Sequence, residues 1–271
     1  MLTKEVILEL YRRCATELPE DVARKLSEAF DREKNDNAKD ILKTIIENIE
    51  LAKDERKPIC QDTGTPFFYV RHPCEMSQEK MRNVIEEATK EATEKIPLRP
   101  NAVDPISGEN IGNKPLIHFE ESDRLRIDLL MKGGGSENVS CIYSLPNNEL
   151  KANRDIDGVK RCVLDAVFRA QGKGCPPYII GVAIGGSIEE VSHLSKKQLL
   201  RNLYDSNDDE VLNKMETEIL ADINKLGIGP MGLGGETTAI GVKITKAYRN
   251  PASFFVGVSF GCWALRRASY E

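Results

Sequence analysis

The stretch GKGCPPYIIGVAIGGS, residues 172–187, decides the fold class. Its apolar run from Tyr178 to Ile184 is too short for an ordinary helix and shows no polar alternation, so it reads as a strand buried on both faces. Gly174 bounds the run on one side and Gly185 with Gly186 on the other. One helix pattern leads into it over about 154–171, and two more follow near 189–204 and 208–226. A central strand set among helices predicts a mixed α/β protein.

Toward the N-terminus, Val6, Leu8, Leu10 and Tyr11, then Val22, Leu26 and Phe30, then Ile41, Ile45, Ile46 and Ile49 recur at helical spacing, so residues 1–55 form a helical N-terminal part. A QDTG turn precedes a strand at Phe67 to Val70, and Ser77 and Pro97 start and stop the next helix. Residues 97–115 hold four prolines and no periodicity, which makes them a long ordered loop, a usual place for function. LIHFEE (116–121) and RLRIDLLMK (124–132) read as a β-hairpin, and VSCIYSL (139–145) as a short strand. AIGVKITKAY and SFFVGVSF are strands that finish the chain before Cys262 and its tail. Without repeats or a linker, residues 1–271 are expected to form one domain: a helical N-terminal layer followed by a mixed β-sheet flanked by helices.

The chain is 40% hydrophobic and 30% charged with a net charge of -5, which gives no basic footprint for nucleic acid. No apolar run approaches the roughly 20 residues that cross a bilayer, and the N-terminus is an amphipathic helix pattern, not a signal peptide. A cytoplasmic location is expected. Seven cysteines in a reducing compartment are not disulfide-paired, and the absence of any CxxC excludes zinc-ribbon, thioredoxin and bacterial ferredoxin spacings. Cys14, Cys162 and Cys141 fall in helix or strand patterns where packing explains them, and Cys74 suits a surface. Cys60, Cys175 and Cys262 lie instead at glycine-flanked turns, 115 and 87 residues apart, a separation that makes no local motif.

GIGPMG (227–232) matches G-x-G-x-x-G, but a helix precedes it and a strand follows, the reverse of a dinucleotide site. It reads as a helix C-cap and loop. KGGGSEN (132–138) and IGGS (184–187) each end a strand, either as a nest of amides for a small carboxylate or as a tight turn at the sheet edge.

Taken together, Cys60-Gln61-Asp62-Thr63-Gly64, Lys132-Gly133-Gly134-Gly135-Ser136-Glu137-Asn138, Cys175-Pro176-Pro177-Tyr178 with Gly185-Gly186, and Cys262-Trp263-Ala264 with Arg266-Arg267 closely resemble the iron-sulfur hydro-lyases of the class I fumarase and L-tartrate dehydratase family. The resemblance runs in order over nearly the whole chain and is to the α subunit of the two-subunit form. It implies a β subunit completing the site, a dimer of αβ units, and a small dicarboxylate substrate. It implies a four-iron four-sulfur cluster on Cys60, Cys175 and Cys262, whose remaining iron has an open position for Lewis-acid chemistry. By the same resemblance Asp62 is the acid/base participant, Gln61 hydrogen-bonds substrate, Arg99 binds a substrate carboxylate, and Gly135 offers a backbone contact. Relatives carry a catalytic histidine where this chain has Asn250, which cannot exchange a proton near neutral pH but can orient water or substrate. The expected reaction is hydration of fumarate to L-malate, a tricarboxylic acid cycle step. The alternatives are dehydration of L-tartrate, or a non-catalytic iron-sulfur or zinc-binding subunit.

Overall fold

Three helices open the chain where the apolar spacing puts them: α1 (Lys4–Thr16), α2 (Glu20–Arg32) and α3 (Asp36–Asp54). In the computed structural model, which describes residues 2–271, they are followed by β1 (Thr65–His72), α4 (Gln78–Lys95), β2 (Leu116–Glu121) and β3 (Arg126–Lys132). Next come α5 (Gly134–Asn138), β4 (Cys141–Ser144), α6 (Ile156–Ala170), β5 (Tyr178–Gly185), α7 (Ile188–Gln198) and α8 (Glu210–Asn224). Strands β6 (Ala239–Ala247), β7 (Phe255–Gly261) and β8 (Arg266–Tyr270) complete the chain. The helical layer and flanked strands are those of a mixed α/β fold, with the strands divided into two sheets.

Contacts gather the chain into two units, one reaching Glu20, resuming over Glu47–Gly134 and ending with Ala264–Glu271, the other formed by Asp21–Ile46 and Gly135–Trp263. In the first unit the sheet order is β2-β1-β3-β8, with β1 parallel to β2 and antiparallel to β3. The expected hairpin of β2 with β3 is therefore not formed. The reason is the burial of β1: Phe67, Phe68, Tyr69 and Val70 are apolar on both faces, so β1 takes the interior position and separates the two. A parallel neighbour needs a crossover, which α4 supplies, and β2 becomes the half-exposed edge. Ser77 caps α4 by accepting from Lys80 N–H, as its position implies. The C-terminal tail, which carries no clear strand pattern, pairs as β8 along β3. Ile7, Leu10, Tyr11 and Cys14 of α1 pack with Ile85 of α4 and Phe68, Ile127 and Leu129 of the sheet.

The second unit carries the sheet β4-β7-β5-β6, where β5 is interior as its composition requires. Strands β5 and β6 are parallel, joined by α7 and α8, and β7 runs antiparallel to β5. Ile180, Val182, Val258 and Phe260 pack against Val159, Val163 and Val167 of α6 and Ile219 of α8, each apolar side chain contributing about 1.5–3 kcal/mol on burial. At the end of β5 a Cβ on Gly185, whose φ is +88°, would lie 2.3 Å from Ala247 O, so only glycine fits there. Ser187 and Glu190 then form a capping box on α7, and the GIGPMG segment is a glycine-rich loop with one 3-10 turn at Pro230–Gly232.

Candidate functional site

The turn after Cys60 is built around Asp62. One carboxylate oxygen accepts from Gly64 N–H at 3.0 Å, an Asx turn, and the other from Gly134 N–H at 2.7 Å. Gly64 has φ +87°, and a Cβ there would sit 3.0 Å from the backbone of Lys132, so the turn fits against the end of β3 only with glycine. KGGGSEN thus ends β3 and turns at once into the short α5, spending its first helical N–H on Asp62. The Asx turn alone would make Asp62 a structural residue; the second anchor, 72 residues away, fixes the carboxylate in one orientation. Each oxygen keeps a lone pair for another donor.

Arg266 donates through Nη1 to Asp62 O at 2.6 Å. It is 1% exposed, and its Nε finds no hydrogen-bond partner. Lys132, at the end of β3, is buried as well. Arg266 puts a buried cation on the Asp62 backbone, which favours an anion nearby. Neither Arg266 nor Lys132 received a role from the sequence; a lysine closing the apolar run RIDLLMK was the available signal.

Thr63 ties the proline-rich loop to this turn. Its hydroxyl accepts from Arg99 N–H at 3.0 Å and from Asn101 Nδ2 at 3.1 Å. Arg99 is thereby held beside Asp62 by its backbone while its guanidinium is exposed and bonds none of the described residues. Gln61 is also exposed. Cys60 is half-buried, its position set by Ile59, whose N–H bonds Ala15 O and whose carbonyl accepts from Asn48. Cys60, Gln61, Asp62 and Arg99 therefore belong together in the first unit.

The second unit brings Cys175 and Cys262 to one end of its sheet. Ile179 faces Gly261 in the β5–β7 register, and Trp263 N–H donates to Cys175 O at 3.1 Å. Cys175 has φ +58°, a left-handed conformation costing about 1–2 kcal/mol for a non-glycine residue. Tyr178 braces the turn: its hydroxyl donates to Gln171 O at 2.6 Å and accepts from Gly174 N–H at 3.1 Å, and its ring meets Phe260 edge-on. Burial pushes the Tyr178 phenol up to about 12, although the Gly174 amide pulls the other way. A Cβ on Gly135 would lie 3.4 Å from Lys173 O, two residues before Cys175.

Asn250 is not brought to that end. Gly185 pairs with Ala247 and Ile179 with Gly261, so the β6–β7 loop lies about 20 Å along the sheet from the two cysteines, at 3.3 Å per residue. There the Asn250 carboxamide accepts from Ala252 N–H at 2.8 Å, a local turn cap.

None of the seven cysteines is in a disulfide, and Cys14 and Cys162 are fully buried, as packing positions should be. Among the described residues no three His, Cys, Asp or Glu side chains stand close enough to hold a single metal ion. A four-iron cluster is wider than an ion and takes thiolates spaced farther apart. Cys60 in the first unit and Cys175 and Cys262 in the second are half-buried thiols at turns, each of the donor type that an iron-sulfur cluster takes. No helix among the described residues is long and apolar enough to cross a membrane.

Comparison with known proteins agrees with these motifs. The profile of the family described as Fumarate hydratase (Fumerase) matches residues 4–271. A Geobacillus stearothermophilus protein described as putative fumarate hydratase class I is 44% identical over 97% of this chain, but the match covers 53% of that protein, so the chain spans about half its length. A Methanocaldococcus jannaschii protein described as putative L(+)-tartrate dehydratase subunit alpha is 41% identical over 99% of this chain and 96% of its own. The Escherichia coli L(+)-tartrate dehydratase subunit alpha is 32% identical over 98% of this chain and 89% of its own. The chain belongs to the class I fumarate hydratase and L-tartrate dehydratase α-subunit family of hydro-lyases.

Proposed function

We propose that the chain is the α subunit of an iron-sulfur hydro-lyase that works with a β subunit in the cytoplasm, and that its substrate is L-tartrate. One observation carries the substrate: two of the relatives above, at 41% and 32% identity over nearly the whole chain, are described as L(+)-tartrate dehydratase α subunits, one of them as putative. Hydration of fumarate is the second reading, favoured by the slightly higher identity of the fumarate hydratase relative.

Cys60, Cys175 and Cys262 are proposed to hold a four-iron four-sulfur cluster. When bound, it supplies an iron without a thiolate, a Lewis acid for a departing hydroxyl. Arg99, exposed and anchored at its backbone, takes a substrate carboxylate in a bidentate pair. Gln61 offers an amide to a hydroxyl, the group by which tartrate differs from malate. In dehydration a C–H bond breaks and its proton goes to a base, while the C–O bond on the neighbouring carbon breaks and the hydroxide leaves as water after protonation. The product is an enol that tautomerises to a keto acid. Asp62, held in one orientation by Gly64 and Gly134, handles one of these protons or orients the base that the β subunit supplies. The test is a paired assay of anaerobically reconstituted α with its β partner. Dehydration of L-tartrate with higher kcat/KM than hydration of fumarate supports the reading; the reverse order replaces tartrate with fumarate, and activity on neither removes the enzymatic function.

A further inference from the structure

Glu33, just past α2, is a carboxylate only 3% exposed that takes no part in the chemistry above. It reaches across the second unit to residues 236 and 237. Glu236 N–H donates to both its oxygens at 3.1 Å, Thr237 N–H to one at 3.1 Å, and the Thr237 hydroxyl to the same oxygen at 2.9 Å. Lys34 and Asn35 N–H groups, each at 3.2 Å, complete the set. Burial works against the charge, but the donors of Glu236, Asn35 and Thr237 outweigh it and hold the carboxyl below its ordinary range. Glu33 is an ionised clamp.

The clamped segment closes the loop 227–238. An open cleft of about 490 Å³ lined by Ala29, Glu33, Asn224, Thr237 and Ile240 lies on one side of it. Asn224 also holds the loop, its side-chain oxygen accepting from Thr238 N–H at 2.9 Å, and the loop's remaining long-range contacts include the Cys175 turn. Met231 N–H donates to Pro176 O at 2.8 Å, and Tyr178 N–H to Thr238 O at 2.9 Å. A Cβ on Gly172 would sit 2.8 Å from Met231 O, so the two backbones are in tight contact. Cys175 itself holds a left-handed φ, a conformation that persists only where its surroundings impose it.

We propose that Glu33 is a positioning residue for Cys175: by anchoring Glu236 and Thr237 it holds the 227–238 loop against the Cys175–Pro176 turn and keeps the thiol in place. The consequence for a cluster rests on the proposed role of Cys175 as a ligand; the mechanical coupling does not. The experiment is anaerobic alkylation of the full apo chain with iodoacetamide, read residue by residue by mass spectrometry, with buried Cys162 of α6 in the same sample reporting global opening. Glu33→Gln should raise the Cys175 rate about tenfold or more over Cys162, since a lost charge-assisted set of this size shifts a local opening at least that far. Thr237→Val should move it the same way by less. Glu216→Gln, which removes another buried carboxylate of the same unit, bonded to Arg201, Asn207 and Ile244 N–H, should leave the Cys175 to Cys162 ratio unchanged. An unchanged ratio in Glu33→Gln, or an equal rise in Glu216→Gln, overturns the proposal. Iron content of the reconstituted unaltered protein is measured separately: its absence would refute the ligand role of Cys175 and leave the coupling result standing.

Discussion

The two ends of the β4-β7-β5-β6 sheet differ in what holds them. At the end carrying Cys175 and Cys262, backbone and side-chain bonds converge from Gly172, Met231, Trp263 and the buried Tyr178, and one residue is kept in a left-handed conformation. At the other end Tyr248 is 103% exposed, and Asn250 spends its side chain on its own turn. A left-handed non-glycine residue persists only where surrounding bonds impose it, whereas the exposed 248–254 loop, held by its own turn and by Arg154 on Pro251 and Ala252, keeps no such conformation. The contrast sets Cys175 and Cys262 at the braced end of this sheet and Asn250 at the other.

That contrast can be broken by mutation. The largest effect is expected for Cys175→Ser and Cys262→Ser, which should each abolish turnover while circular dichroism shows the fold retained; surviving activity would remove the thiols from the mechanism. Asp62→Asn should lower kcat by about 10²–10⁴-fold, the range of a lost general acid or base, and should also lower the thermal midpoint, because one of the two backbone N–H groups loses its acceptor. Tyr178→Phe strands Gln171 O and Gly174 N–H in a buried turn and should cost about 1–3 kcal/mol by urea denaturation. Asn250→Ala should cost about 1 kcal/mol or less and leave kcat within a few-fold, in keeping with loss of one exposed hydrogen bond. A loss as large as that of Asp62→Asn would show that Asn250 reaches an active site. The smallest effect concerns pH: Glu33 is held below its ordinary 4.5, so its contribution is complete above that value and is lost as pH falls through the lowered folded pKa. Urea midpoints should therefore fall more steeply below about pH 4.5 in the unaltered chain than in Glu33→Gln.

Much of this architecture was legible in the residues. Uniform apolarity placed β5 in a sheet interior, helical spacing found α1, α2 and α3, and the Ser77 cap with the Pro97 stop found α4. The pairing of β2 escaped, because a short link between two strand patterns says hairpin while the competing demand of a doubly buried β1 is a property of the whole sheet. The tail RRASY lacked alternation, yet it pairs with β3 because a backbone ladder asks little of side chains. In the site, the motifs gave Cys60 and Asp62, but not Gly134 N–H as the second anchor of that carboxylate or Arg266 as a buried cation on its carbonyl. Nor did spacing show that Asn250, twelve residues before Cys262, lies at the opposite end of β7. Long-range register decides such placements, and one sequence does not carry it.

The central claim is that Cys60, Cys175 and Cys262 together hold an iron-sulfur cluster. Its direct test is iron and acid-labile sulfide analysis of the protein reconstituted without oxygen, beside a variant with all three cysteines changed to serine. About four irons and four sulfides per chain in the unaltered protein and none in the variant is the expected result; iron absent from the first, or retained by the second, would contradict it.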